Sequence, residues 1–181
     1  MRPYSTCIMI DIKLPDGKVV KYPEGTTPIE VAKDISEGLA RNVISARFNN
    51  RKVETVTPLM EDGELVLYTW RDEEGKKAFW HSSSHVVAQA LEELYAGIRL
   101  TIGPAIDSGF YYDVDFRDHP ISEKDFPAIE KRAMEIARGK HDFRMREVSK
   151  ADALAYYQNQ DNPFKVELIE NLQDGDITFC D

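Results

Sequence analysis

Only two cysteines occur in the 181 residues, Cys7 and Cys180, and they stand at opposite ends of the chain. That spacing offers neither a disulfide framework nor a cysteine ligand pair, and it leads us to expect a reducing cytoplasm. No run approaches the roughly 18 apolar residues that a membrane-spanning helix needs. The opening Met-Arg-Pro-Tyr-Ser-Thr-Cys stretch lacks the long apolar core of a signal peptide. Glycine-rich phosphate loops, internal repeats and low-complexity tracts are missing as well. Positive charge is in deficit: the formal net charge of −9 argues against nucleic-acid binding by the surface as a whole. Local basic groupings remain, at Lys76 and Lys77, at Lys131 and Arg132, and at Arg138, Lys140, Arg144 and Arg146. Solvated faces are the plainer reading of each.

What is present is an ordinary globular composition, 42% hydrophobic and 30% charged, long enough for one large or two small domains. Ile8, Ile10, Ile12 and Leu14 alternate as in a strand. Pro15-Asp16-Gly17 is turn chemistry, and Val20 and Tyr22 lie on a returning strand. Thr27-Pro28-Ile29-Glu30 combines an N-cap, a proline at the first helical position and a capping box. Ile29, Ala32 and Ile35 share a helical face, with Gly38 placed to end the helix. Ile44, Ala46 and Phe48 alternate again before Asn49-Asn50, and a last strand runs from Leu65 to Trp70 after Asp62-Gly63. This order predicts one helix across a small mixed sheet, the β-grasp arrangement, over residues 1–70. Residues 71–77 carry no apolar side chain and include Gly75, so they read as a linker between domains.

Residues 78–181 predict a second, α+β domain. Phe79, Ser83, Val86, Val87, Ala90, Leu91 and Leu94 have helical spacing. Ile98, Leu100 and Ile102 alternate, as do Phe110, Tyr112 and Val114. Ser122 caps a helix with a stripe of Phe126, Ile129, Ala133 and Ile136, ended near Gly139. Phe143 and Met145 suggest a strand, Ser149 caps a helix containing Leu154, and the stretch from Phe164 to Cys180 fits helix or strand.

One constellation carries chemistry. His81 and His85 stand at i and i+4, stacked on one helix face with about 6 Å between Cβ atoms. They are helix histidines without catalytic duty, metal ligands awaiting a third donor, or imidazoles that trade protons with a water near neutral pH. A zinc protease helix needs Glu directly after the first His; Ser82 stands there, which excludes that enzyme class. Gly103-Pro104 through Gly109-Phe110-Tyr111-Tyr112-Asp113 forms a shaped turn followed by three aromatics. These either fill a core or wall a pocket, where phenols bond a ligand and rings stack on a base. Lys165, by itself, reads as a surface lysine.

Together these stretches resemble the threonyl-tRNA synthetase family along nearly the whole chain. Leu14-Pro15-Asp16-Gly17-Lys18 and Thr27-Pro28 look like its N-terminal TGS domain. Trp80-His81-Ser82-Ser83-Ser84-His85 is similar to its His-Ser-x-Ala-His motif, with Ser84 in place of Ala. Ile102-Gly103-Pro104 to Asp113, and Phe164-Lys165-Val166, match its further segments. The family's editing site is completed by a Cys-Arg-Gly-Pro-His motif, expected shortly after Asp181, and Cys180 reads as part of the strand before it. The resemblance implies an editing domain, incomplete at this end, that hydrolyses mischarged seryl-tRNA(Thr). A threonine site gains only about 1–3 kcal/mol from one methyl and cannot exclude serine by binding alone. His81 and Lys165 are the implied catalytic groups, and His85, Tyr112, Gly103 and Asp107 the implied substrate contacts, with no metal. No cofactor is expected in this stretch; ATP, magnesium and zinc belong to the family's catalytic domain, as does dimerisation. The implied partner is the serine-bearing 3′ end of tRNA(Thr). The alternative is a noncatalytic module that docks tRNA or a protein partner.

Overall fold

The computed structural model describes residues 8–139, 145–175 and 177–180. Cys7, Lys140, Phe143 and Arg144 lie outside the described residues. The chain divides into two compact units, Met1–Phe79 and Trp80–Asp181.

In the first unit, β1 (Met9–Lys13) and β2 (Val19–Pro23) form a hairpin closed by Gly17 at φ 86°. A positive φ there suits glycine alone among the turn residues. Ile10 and Ile12 point into the core as the alternation predicts, whereas Ile8 precedes the strand and is 64% exposed. Helix α1 (Pro28–Ile35) opens with the predicted cap: the Glu30 carboxylate accepts the Thr27 N–H at 2.8 Å and the Thr27 hydroxyl at 2.7 Å. Its buried face is Pro28, Val31 and Ala32, not Ile29, Ala32 and Ile35. Ile35 continues that stripe, seven residues after Pro28, but it is the last residue of the helix and is 46% exposed. Gly38 does not end α1 either. Ser36 adopts extended backbone and its hydroxyl accepts the Leu39 N–H, starting α2 (Glu37–Asn42) around Gly38.

Strands β3 (Val43–Phe48) and β4 (Arg51–Val53) turn through Asn49 and Asn50, both at positive φ, before β5 (Gly63–Thr69). The sheet order is β2-β1-β5-β3-β4, with β1 and β5 parallel and the other pairs antiparallel. Helix α1 packs against β3 and β5. Ile10, Ile12, Tyr22, Val31, Ala46, Phe48, Leu59 and Leu65 form the core. This is the expected β-grasp fold. The polar stretch read as a linker is ordered differently: residues 73–77 are the first turns of α3 (Glu73–Leu94). Asp72 receives the Thr69 N–H at 2.7 Å just ahead of that helix, satisfying the strand end and starting the turn.

The second unit continues with short ribbons and helices. β6 (Arg99–Leu100) pairs with β9 (Val114–Asp115), and β7 (Ala105–Ile106) pairs with β8 (Gly109–Phe110). The longer alternations predicted there contract to these two-residue pairs. Ser122 and Asp125 make a reciprocal cap on a 3-10 turn that leads into α4 (Phe126–Arg138), where Ile136 is buried but Phe126 is exposed. β10 (Met145–Glu147), α5 (Lys150–Asn159), α6 (Pro163–Glu170) and β11 (Thr178–Cys180) complete the unit, so the ambiguous tail is a helix followed by a strand. Ala153, Ile169 and Ile177 are their core, with Tyr157 and Phe179 packed against it. No helix among the described residues is long and apolar enough to cross a membrane.

Candidate functional site

Helix α3 carries His81 and His85 one turn apart, and their Nε2 atoms lie 3.2 Å from each other. Two imidazole nitrogens at that distance share one proton: one ring donates and the other accepts. The rings meet edge to face, with centroids 4.7 Å apart. Ser84, 1% exposed, turns inward and donates its hydroxyl to the His81 carbonyl at 2.7 Å. The serine that departs from the family motif therefore bonds its own helix. Burial holds the His85 imidazole below the usual histidine range, helped by the charges of His81 and Lys165.

Lys165 is carried by α6. Buried Asn162 caps α6 by accepting the Lys165 N–H at 3.1 Å, and its amide donates to the Leu100 carbonyl at 2.9 Å. One side chain thus starts the helix and ties it to β6. The Lys165 ammonium stands 6.0 Å above the centre of the Tyr157 ring. Burial lowers its pKa, and the charge of Glu92 restores part of the loss. Glu92 responds reciprocally: burial raises its carboxyl and Lys165 pulls it back. Much of Glu92 is still exposed, so water screens this pair and it adds little stability.

Tyr112 closes another wall. A Cβ on Gly103 would fall among the Tyr112 ring atoms, so only glycine allows the ring to lie where it does. Burial, then the Glu92 charge, pushes the Tyr112 phenol up. Burial together with Tyr156, Glu92 and Tyr112 pushes Tyr157 up to about 12. These mutual influences bring His81, His85, Tyr112 and Lys165 into one neighbourhood, with Gly103 behind it. Asp107 is exposed at the β7–β8 turn, and no described interaction joins it to this cluster.

Three members were not foreseen from the sequence. Glu92 lies seven residues beyond His85, two turns along the same helix face, and that spacing was a usable signal. Asn162-Pro163 is a cap followed by proline at the first helical position, which places Lys165 in a first helical turn. Tyr157 had no signal beyond its aromatic character. Among the described residues, no group of three or more His, Cys, Asp or Glu side chains is placed to hold a metal ion.

A TGS-domain profile matches residues 10–69, the β-grasp unit. Over 173 residues, 96% of its length, the chain is 67% identical to the threonine–tRNA ligase of Flavobacterium johnsoniae. It is 48% identical over 171 residues to that of Cytophaga hutchinsonii and 46% identical over 170 residues to that of Bacteroides thetaiotaomicron, each match covering 94% of the chain. The chain belongs to the threonine–tRNA ligase family. It spans about a quarter of the length of these relatives, 26% in each case. A match over 96% of the chain necessarily includes the span from His81 to Lys165, so the whole cluster lies in the stretch shared with the Flavobacterium ligase.

Proposed function

We propose that the cluster on α3 and α6 is an editing site, which hydrolyses the ester of serine mischarged onto tRNA(Thr). The observation that carries this reading is the convergence of a proton-sharing histidine pair with a half-buried lysine, beside a wall made by Tyr112 and Gly103. In the reaction, a water oxygen attacks the seryl carbonyl carbon while the pair, through His81, accepts the water's proton. The carbonyl oxygen becomes anionic and faces the Lys165 ammonium, a cation in surroundings dry enough to strengthen the attraction. Collapse of the tetrahedral intermediate breaks the bond to the ribose oxygen, which recovers the proton from the imidazolium. Serine and uncharged tRNA leave. His85, kept neutral by burial, orients its neighbour and accepts or donates the shared proton. Each of these steps proceeds without a metal.

In this role the chain serves a larger ligase that joins threonine to tRNA with ATP, in the cytoplasm, through domains carried in the rest of the ligase's length. The test is deacylation of seryl-tRNA against threonyl-tRNA, by the chain and by a full-length ligase carrying it. Seryl-tRNA is expected to be cleaved preferentially, and His81→Ala or Lys165→Ala to slow cleavage about 10²–10⁴-fold. Cleavage of neither ester would make the chain a docking module, and full activity without His81 would take the histidine pair out of the reaction.

A further inference from the structure

Tyr156 is out of place for a residue beside a core. It is 48% exposed, yet its ring is held edge-on by Tyr157, with centroids 5.0 Å apart, and against Phe179 at 5.2 Å. Tyr157 and Phe179 pack on the core of the unit; Tyr156 lies outside it. Arg146, directly across from Phe179 in the β10–β11 register, sets its guanidinium 5.8 Å over that ring. Tyr157 and Phe179 also touch, at 5.6 Å, so the three rings form a triangle, with the Lys165 ammonium over Tyr157 and Arg146 over Phe179.

We propose that Tyr156 is a stacking platform for the unpaired base next to the terminal nucleoside of the RNA strand whose ester enters the site, with Arg146 facing the strand's phosphates. The proposal rests on the ester-hydrolysis reading for its direction, since the strand's last nucleoside must sit by Lys165. Two observations point to a nucleic-acid strand instead of a protein partner. The exposed ring is fixed by its neighbours, which leaves little rotamer freedom to lose on stacking. The cation beside it comes from an otherwise acidic chain, with a net charge of −9, where a positive site is the exception.

The test uses the 181-residue chain and an RNA hairpin with a short unpaired 3′ end, followed by fluorescence anisotropy. A second hairpin lacks the base next to the terminal nucleoside. Tyr156→Ala is expected to weaken binding of the first hairpin about 5- to 150-fold and to leave the second unchanged, as loss of one base–ring stack requires. Tyr156→Trp keeps the affinity, and Arg146→Gln flattens its salt dependence. Tyr156→Ala gives up two ring contacts and should lower the urea midpoint modestly, so circular dichroism under the binding conditions checks that it is folded. Equal binding of the first hairpin by parent and Tyr156→Ala overturns the platform, as does equal weakening of both hairpins or failure to bind either. A chain that shows the Tyr156 dependence but cleaves no ester overturns the hydrolysis reading and leaves the platform standing. One that cleaves seryl-tRNA without any Tyr156 dependence in binding overturns the platform alone.

Discussion

Replacing Gly103 by alanine tests the site wall with a single methyl group. The new Cβ would stand 3.0 Å from Tyr112 Cγ and closer still to two other ring carbons, so the ring must move. Gly103 is not at positive φ, so the backbone itself tolerates alanine. The perturbation is therefore one of packing. Forcing a methyl into a packed contact costs about 1–3 kcal/mol. Tyr112 would pivot out of its half-buried place by roughly the width of the overlap, about 1 Å, and a misplacement of that size lowers a positioned reaction about 10²-fold. Urea unfolding and single-turnover deacylation of seryl-tRNA measure the two effects. The double-mutant cycle isolates the cause: with Tyr112→Ala as background, Gly103→Ala is expected to cost less than about 0.5 kcal/mol. The same cost in both backgrounds would refute the contact, and unaltered deacylation in Gly103→Ala would remove Tyr112 from the site.

Asn162→Ala removes a helix cap worth about 1 kcal/mol and strands the Leu100 carbonyl, at about 1–3 kcal/mol more; unfolding should register about 2–4 kcal/mol, and deacylation should fall with it because Lys165 loses its anchor. The Tyr22 phenol, pushed up to about 12 by burial and by its 2.8 Å bond to Asp34, favours the neutral form in the folded state. Its contribution to stability is whole below pH 10, where an unfolded tyrosine ionises, and fades as pH rises towards 12; an absorbance titration in which Tyr22→Phe removes one late-titrating phenol checks this. Prolonged dialysis against a chelator should leave both metal content and deacylation rate where they were, whereas parallel loss of zinc and activity would show that the histidine pair is a metal site.

Local chemistry in this chain was readable wherever a few adjacent residues settle the outcome. Thr27 to Glu30 announced a helix start because the cap and its reciprocal carboxylate lie within one turn. Gly17 announced a hairpin because its backbone tolerates what others do not. The buried face of α1 was misjudged since helical spacing fits either the Ile29 or the Val31 side, and the sheet strands β3 and β5 against which the helix packs select between them. Residues 73–77 looked like a joint by polarity, yet solvent-facing helical turns are polar as well. At the site, the histidine pair was visible as a spacing, but the company it keeps was not. Lys165 read as a surface residue because its burial comes from Tyr157, from the Asn162 cap and from β6, none of which a local window reveals. Asp107 was included by its position in a motif, and no described interaction of the fold links it to the cluster.

Asn162 also has a consequence for time. Its bond to Leu100 closes a loop of 62 residues, and the Arg99–Asp161 ion pair beside it closes another of the same size. The length-dependent part of that closure costs about 3.7 kcal/mol, against about 2.0 kcal/mol for a ten-residue loop such as the one joined by Lys21 and Asp11 in the first hairpin. During synthesis the β-grasp strands emerge complete and pair while Lys165 has yet to be made. Nascent chains should therefore hold a finished first unit for some time before the cluster around Lys165 can form, and protease pulses on stalled chains of increasing length should show protection of the sheet well ahead of α6.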